Sequence, residues 1–449
     1  MNESGRLSPV ETISQKLATS VIVKLTVIGV LIAVLMVPTL LILNLIHERE
    51  TRRDEVIAEI GGKWGLPQKL SGPFLTIPFE QTGPGPDQKP VSTLRALHLL
   101  PDSLNVTGQL IPETRYRGIY AVIVYTAKVT VSGLFRLPDG ARPPEGLPGN
   151  FHWDDLTLSL GVQDLRGIKE QLAIKWGENT VAVEPGHDLG KAIENGVSAS
   201  VSWRPETQGT EIPFSFTLDL KGSDTFHVLP AGKITTLSLN STWDAPSFIG
   251  EFLPENRMVS EKGFQATWKI FHFNRNIPQT WWDRSDPLPD ASVGVQLLLP
   301  LDEYRKNERT AKYAVLIIAL TFAAFFVTEA AGKQRVHPVQ YLLIGLSLLI
   351  FYTLLLSLSE QIGFGWAYLI SAFATTGLIT WYAHTAFSHR KYTLVIGTVL
   401  VVLYGYLYFI LQLEDYALLA GSVGLFVIVA LIMAFTRNID WYADSKEAP

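Results

Sequence analysis

The chain has 449 residues, 47% of them hydrophobic and only 18% charged, with a formal net charge of −5. That apolar excess is larger than a soluble domain carries, and the charge gives no electrostatic footprint for nucleic acid. With no cysteine in the sequence, disulfides, thiolate zinc sites and a cysteine nucleophile are excluded.

The first apolar run, Leu25 to Ile46, has no charged side chain and is long enough to cross ~30 Å of hydrocarbon. It is too long for a signal-peptide core, and Asn44-Leu45-Ile46-His47-Glu48 has no small-x-small cleavage pattern. It is therefore expected to stay as a signal-anchor helix over 25–46, behind a cytoplasmic segment 1–24. Ser8-Pro9-Val10-Glu11 reads as a capping box with proline at the first helical position, and Pro38 should kink the helix. The i,i+4 pair Glu48 and Arg52 and the stripe Val56, Ile57, Ile60 carry the helical pattern past the membrane. Gly61-Gly62 is expected to end it.

From Trp64 to about Pro300 the texture becomes β-like, with alternating or β-branched runs punctuated by Gly, Pro, Asn and Asp. Tyr120–Phe135 is the clearest strand; Leu156–Val162, Val197–Trp203, Phe214–Leu220, Thr235–Trp243 and Phe264–Phe273 follow the same pattern. Gly83–Asp87 and Pro138–Gly149 read as loops, and a helical turn is expected only near Asp164–Glu170. Residues 47–311 are thus expected to form one β-rich domain outside the cytoplasm, a sandwich or else two stacked lobes.

After Arg309 apolar runs return at about 312–328, 339–358, 364–386, 393–412 and 416–435, a five-helix block over 312–436 followed by a cytoplasmic tail 437–449. The connections Gly332-Lys333-Gln334-Arg335 and Ser388-His389-Arg390-Lys391 are basic, whereas Ser359-Glu360-Gln361 and Glu414-Asp415 are not. The alternation puts the basic loops, both termini and Arg437 in the cytoplasm and the β-rich domain outside. Arg6, Lys16 and Lys24 agree with this; Arg49, Arg52, Arg53, Arg305, Lys306 and Arg309 do not, but charges flanking a long translocated domain count for little. The expected fold is a six-span α-helical bundle, one helix plus five, with a large β-rich periplasmic domain.

Blocks of residues across nearly the whole chain carry a family pattern. They include Ser71-Gly72-Pro73, Arg117-Gly118-Ile119-Tyr120, Asp164-Leu165-Arg166-Gly167-Ile168, Ser241 to Pro254 with Pro246-Ser247-Phe248, and Gly263-Phe264-Gln265-Ala266-Thr267-Trp268. The later blocks are Pro300-Leu301-Asp302-Glu303-Tyr304, Lys312-Tyr313, Thr321-Phe322, Phe325-Phe326-Val327-Thr328-Glu329, His337-Pro338-Val339-Gln340-Tyr341 and Ser357-Leu358-Ser359-Glu360. In these the chain resembles the CreD family of bacterial inner-membrane proteins, also called the cell envelope integrity family. The first twenty residues and 136–155 match no part of the pattern. The resemblance implies an envelope-maintenance protein, often under a sensor kinase and response regulator that answer cell-wall stress, with overproduction linked to colicin tolerance. It implies no catalytic residues.

The chemistry-bearing motifs are sparse. No phosphate-binding loop, His-Glu-x-x-His helix or Gly-x-Ser-x-Gly elbow is present, and no catalytic, cofactor or metal site is expected. His152-Trp153-Asp154-Asp155 could present His152 and Asp154 on one strand face, or be a solvated turn. Ionisable groups at membrane depth ask for a reason: Glu329, Glu360 and His384 all fall near span ends, where interfacial anchoring accounts for them. Ala367, Ser371 and Thr375, Ala417 and Gly421, and Ala420 and Gly424 put small residues at four-residue spacing, which allows close helix packing. Trp281, Trp282, Arg117 and Arg166 are candidate anchors for a partner; burial within the β-rich domain is the alternative for the tryptophans, an internal salt bridge for the arginines. The expected partners are the lipid bilayer and an envelope protein, wall or lipid component.

Overall fold

The structure is a computed structural model that describes residues 21–84, 90–137, 149–204, 210–283, 288–298, 303–332, 336–387, 389–413 and 416–437. The chain divides into two compact units, one of Met1–Arg52 with Leu301–Pro449 and the other of Arg53–Pro300. The expected capping box at Ser8-Pro9-Val10-Glu11 and the connections at 85–87, 138–148, 333–335 and 414–415 lie outside the described residues.

Helix α1 runs Val21–Trp64 with Pro38 inside it. The expectation that Gly61-Gly62 stops this helix is corrected. The helix continues to Trp64, and the Gly65 N–H closes a last turn on the Gly61 carbonyl at 2.8 Å. Gly61 is there for a close approach, since a Cβ would come within 2.9 Å of Ser223 Oγ. Two turns earlier Val56 packs with Val122 and Val124, flanked by Ile57, Ile60 and Trp64, which is the apolar stripe read from the sequence.

Among the described residues the second unit has eighteen strands in chain order: β1 Gln68–Pro84, β2 Pro90–Leu99, β3 Ser103–Arg117, β4 Tyr120–Arg136, β5 Gly149–Phe151, β6 Leu156–Val162, β7 Ala173–Trp176, β8 Asn179–Ala182 and β9 Glu184–Pro185. There follow β10 Gly196–Val201, β11 Glu211–Ser223, β12 Thr225–Val228, β13 Ile234–Ser241, β14 Pro246–Gly250, β15 Asn256–Ser260, β16 Gly263–Phe271, β17 Thr280–Trp282 and β18 Val293–Leu297. A 3₁₀ turn, Leu165–Gly167, occupies the place where a helical turn was expected, and a second, His272–Asn274, follows β16.

They form two sheets. The first has ten strands, with β14-β18-β12-β1-β6-β10-β9 as its main path, β2 and β5 paired to β1 off that path, and β17 paired to β2. The second has eight in the order β15-β16-β13-β3-β4-β11-β7-β8. In the second sheet buried and exposed residues alternate along β3, β11 and β16, the signature of a sheet with one covered face. Phe74, Leu75 and Ile77 of β1, Leu156, Leu158, Leu160 and Val162 of β6, Val106, Val129 and Val131 of β3 and β4, and Leu237, Phe264 and Trp268 of β13 and β16 belong to one continuous apolar core. The fully buried Trp176 and Trp268 donate their ring N–H groups to Ser202 O and Phe252 O, each at 3.0 Å, so neither leaves a polar atom stranded.

In the first unit, among the described residues, six helices follow the β-rich segment: α2 Glu303–Lys312, α3 Ala314–Gly332, α4 Pro338–Ile362, α5 Phe364–Ala386, α6 Arg390–Gln412 and α7 Ala417–Thr436. Among the described residues three helices, α1, α4 and α6, are long and apolar enough to cross a membrane, and the bent pair α2 and α3, meeting at 42°, would make a fourth. The six spans expected from hydropathy exceed that number. Ser371, Thr375, Thr376 and Thr380 dilute the hydropathy of α5. The small-residue face of α5 is a packing surface: Ala367 and Ser371 are fully buried and Thr375 nearly so. Gly345 of α4 lets Leu35 of α1 press onto its backbone, a contact any larger residue would obstruct.

Candidate functional site

Two of the places where the helical unit buries polar groups join helices through a carboxylate. At the first, Glu329 near the end of α3 is only 3% exposed. It forms an ion pair with Lys24 of α1, accepts the Val336 N–H at 2.9 Å on Oε1, and accepts the Tyr341 hydroxyl at 3.1 Å on Oε2. Phe322 and Phe325 stand edge-on to the Tyr341 ring at 5.4 and 6.3 Å, walling off the pair. One carboxylate therefore joins α1, α3 and the start of α4, where His337 and Gln340 cap the helix reciprocally and Pro338 takes its first position. Its oxygens are committed to positioning, which makes this a clamp, with the negative charge held by a cation and two donors.

The second place is built on α2. Its buried face, Tyr304, Asn307, Thr310 and Ala311, follows helical spacing. The Tyr304 hydroxyl donates to Glu360 Oε1 at 2.9 Å. Asn307 Nδ2 donates to Ser359 Oγ at 2.7 Å, and Arg309 donates to the Leu413 carbonyl at 3.1 Å. Glu360 thus holds α2 against the end of α4. Asn307 escaped the sequence reading; the signal available was a buried polar residue one turn from Tyr304 on an otherwise charged helix. His384, near the end of α5, is exposed and lines an open groove of about 550 Å³ between α5 and α6.

In the β-rich unit the four candidate anchors are dispersed. Trp281 is 8% exposed and belongs to the core, its ring 6.4 Å from Phe74 and 5.4 Å from His98. Trp282 is half-buried, edge-on to Phe79 at 5.6 Å, with the Arg95 guanidinium 5.6 Å above it. Arg117 pairs with Glu59 of α1. Arg166 grips Asp164 with two bonds of 2.9 and 3.0 Å and reaches the Gly62 carbonyl at 3.1 Å. Burial alone would raise the pKa of Asp164, but Arg166 and the Leu66 and Arg166 N–H groups outweigh it and hold the carboxyl below its usual value. The pair ties the end of α1 to the 3₁₀ turn. His152 and Asp154 do not converge: His152 Nε2 lies 3.5 Å from Glu80, and Asp154 takes the Arg204 Nε at 2.7 Å. Among the described residues no group of three His, Asp or Glu side chains could hold a metal ion.

His98 is a buried histidine the sequence reading did not single out; its Nδ1 lies 3.0 Å from Thr76 Oγ1. Burial lowers its pKa below 6.5, against the opposing pull of Asp283 and Asp188, and burial lowers that of His227 likewise. The unfolded chain then binds the proton more readily, so this stability is present above about pH 6.5 and is lost as pH falls towards the folded-state values. The urea midpoint of the tryptophan-detected transition is expected to drop between about pH 7.5 and pH 5, and to drop less in His98→Gln with His227→Gln. A wild-type midpoint that rises on acidification would contradict this.

A large β-rich unit and several apolar helices, together with a carboxylate and a lysine paired between those helices, define an integral membrane protein. The match to the family model for "Inner membrane protein CreD" extends over residues 20–442. The chain is also 35% identical over 432 residues to the inner membrane protein CreD of Escherichia coli (strain K12), covering 94% of each chain. The chain belongs to the CreD family of inner-membrane proteins.

Proposed function

We propose that this protein sits in the bacterial inner membrane with six spans, both termini cytoplasmic and the β-rich domain periplasmic, and that it supports envelope integrity and the envelope-stress response by binding through that domain. The observation that carries the binding role is an open sheet edge. Among the described residues β15 is the terminal strand of the eight-stranded sheet, every one of its residues is exposed, and its Met258 and Val259 are 72% and 50% exposed, with Leu253 just before the strand 70% exposed. An unpaired, partly apolar edge is a template for an added strand. We read the two sheets around their shared core as a sandwich. The resemblance to the envelope-integrity family and its link to colicin tolerance support the same reading. The competing reading, a membrane enzyme or transporter acting on an envelope lipid or saccharide, draws its support from the buried Glu329.

Two experiments test this. Reporters fused after Lys333 or Lys391 are expected to read cytoplasm, and those after Gln361 or Asp415 periplasm, because the short loops alternate in charge. A periplasmic signal after Lys391 would overturn the six-span arrangement. A binding surface spreads its effect, whereas an enzyme concentrates it in a few titratable groups. At matched protein level, alanine at His152, Asp154, Asp155, Glu329 or Glu360 should therefore give graded losses of protection against envelope stress, and deletion of the β-rich domain should abolish it. Complete loss from one carboxylate, with abundance and topology normal, would favour the enzyme or transporter.

A further inference from the structure

The groove that His384 lines runs between α5 and α6 and has two chemically distinct ends. At the end beside the connection between the helices stand His384 and Arg390, both exposed, with Thr380 and Thr393 lining the wall. Arg390 has no carboxylate partner among the described residues. Lys391, also exposed, adds a second cation next in sequence. Leu394, 71% exposed, borders this end, and farther along the groove is walled by Val401 and Val402, both 62% exposed. Apolar side chains left open on a membrane helix face lipid tails rather than water. Its floor is low because Gly397 brings the two helices together: a Cβ there would meet Thr380 Oγ1 at 3.1 Å.

A second observation shows that the polar end is more than the start of a helix. Thr393 is only 9% exposed, yet its Oγ1, like that of Thr380, has no hydrogen-bond partner among the described residues. A buried hydroxyl without a partner is costly, and both of these line the groove. Two hydroxyls buried in the groove wall, an imidazole and an always-charged guanidinium gather at one end of a slot whose other end is hydrocarbon. The ligand matching both ends is amphipathic, with an anionic phosphate head and an acyl tail.

The geometry points to a specific site for an anionic phospholipid, its phosphate held by Arg390, His384 and the two threonine hydroxyls and one acyl chain lying on Gly397, Val401 and Val402. The charge sign selects an anionic headgroup over a zwitterionic one, since each cation near the phosphate contributes about a fivefold preference. The site would hold a lipid of the leaflet on the side of the 387–389 connection.

The test is native mass spectrometry of the full-length protein, exchanged into vesicles of phosphatidylethanolamine with phosphatidylglycerol and released into mild detergent. The wild type is expected to retain phosphatidylglycerol well above its share of the vesicle. Arg390→Gln should lower that enrichment about fivefold, and Arg390→Lys should restore most of it. Gly397→Leu, which fills the floor, should abolish retention of both lipids at this site. Thr393→Val is nearly isosteric and should lower the enrichment while leaving the thermal midpoint unchanged, so the prediction survives a folding failure of the bulkier variant. Equal retention of the two lipids by the wild type, or enrichment unchanged in both Arg390→Gln and Thr393→Val, would overturn the site.

Discussion

Replacing Glu329 by alanine is expected to cost about 3 kcal/mol of stability, and to lower the steady-state amount of protein several-fold. The side chain is buried, and its removal strands three partners at once: the Lys24 ammonium on α1, the Val336 N–H and the Tyr341 hydroxyl. Lys24 is partly exposed and can turn towards the interface, so the cost falls towards the lower end for a broken buried pair. Removing both charges should be milder: Lys24→Met with Glu329→Leu leaves no unpaired ion and should recover more than half of the loss. The measurement is the thermal midpoint of the protein in detergent, alongside immunoblots of membranes at matched expression. Equal midpoints for Glu329→Ala and the wild type would show that the carboxylate clamps nothing. The same experiment bears on function, because a loss of protection that follows abundance is structural in origin.

In the β-rich unit the largest single loss is expected at Arg275, which is 4% exposed. It donates to the Ile277 carbonyl at 2.9 Å and to the Ala231 and Gly232 carbonyls at 2.7 and 3.3 Å, and it bonds the Gln279 side chain. Gln279 in turn donates to Pro101 O at 3.0 Å and accepts on its carbonyl the Leu100 N–H at 2.9 Å. These three segments are the places where the chain leaves one sheet for the other: β2 to β3, β12 to β13, and β16 to β17. One guanidinium and one amide therefore staple three crossovers. Burial lowers the Arg275 pKa to about 10, so it is still a cation at neutral pH, and its charge is met by carbonyl dipoles. Arg275→Ala would leave those carbonyls without a donor in a dry site, for an expected loss of about 4 kcal/mol. Arg275→Lys keeps the charge but not the fork and should cost about half as much. The urea midpoint of the tryptophan-detected transition reads this out, and a midpoint shared by Arg275→Ala and the wild type would dismiss the staple.

What the sequence by itself determined were features whose physics is local. Hydropathy located the apolar helices, because a bilayer-length run needs no information from elsewhere in the chain. Period-two alternation located β4 nearly to the residue, because a half-covered strand writes its environment into alternate positions, and the run of Leu and Val at every second position located β6, which is buried on both faces. The four-residue repeat of small side chains on α5 marked a face that is in fact buried. Scattered blocks were enough to mark the CreD family, which the family model and the Escherichia coli relative show.

The rest was decided by tertiary structure, at positions where distant segments meet. β1, a central strand of the ten-stranded sheet, did not read as a strand, because Gly72, Pro73 and Pro78 interrupt it; its pairing with β6 shifts register between Ser71 and Phe74, which absorbs the proline and glycine. The parallel pairings of β1 with β12 and of β3 with β13 join strands remote in sequence, so no turn announces them. Glu329 was visible as an expensive carboxylate near a span end, but its counter-ion is 305 residues away. Arg275 was not singled out in the sequence, and its role rests on the three crossovers that close around it. Side chains advertise burial through their spacing along the chain, but a polar side chain's partners are set by which elements pack together, and that requires the folded chain.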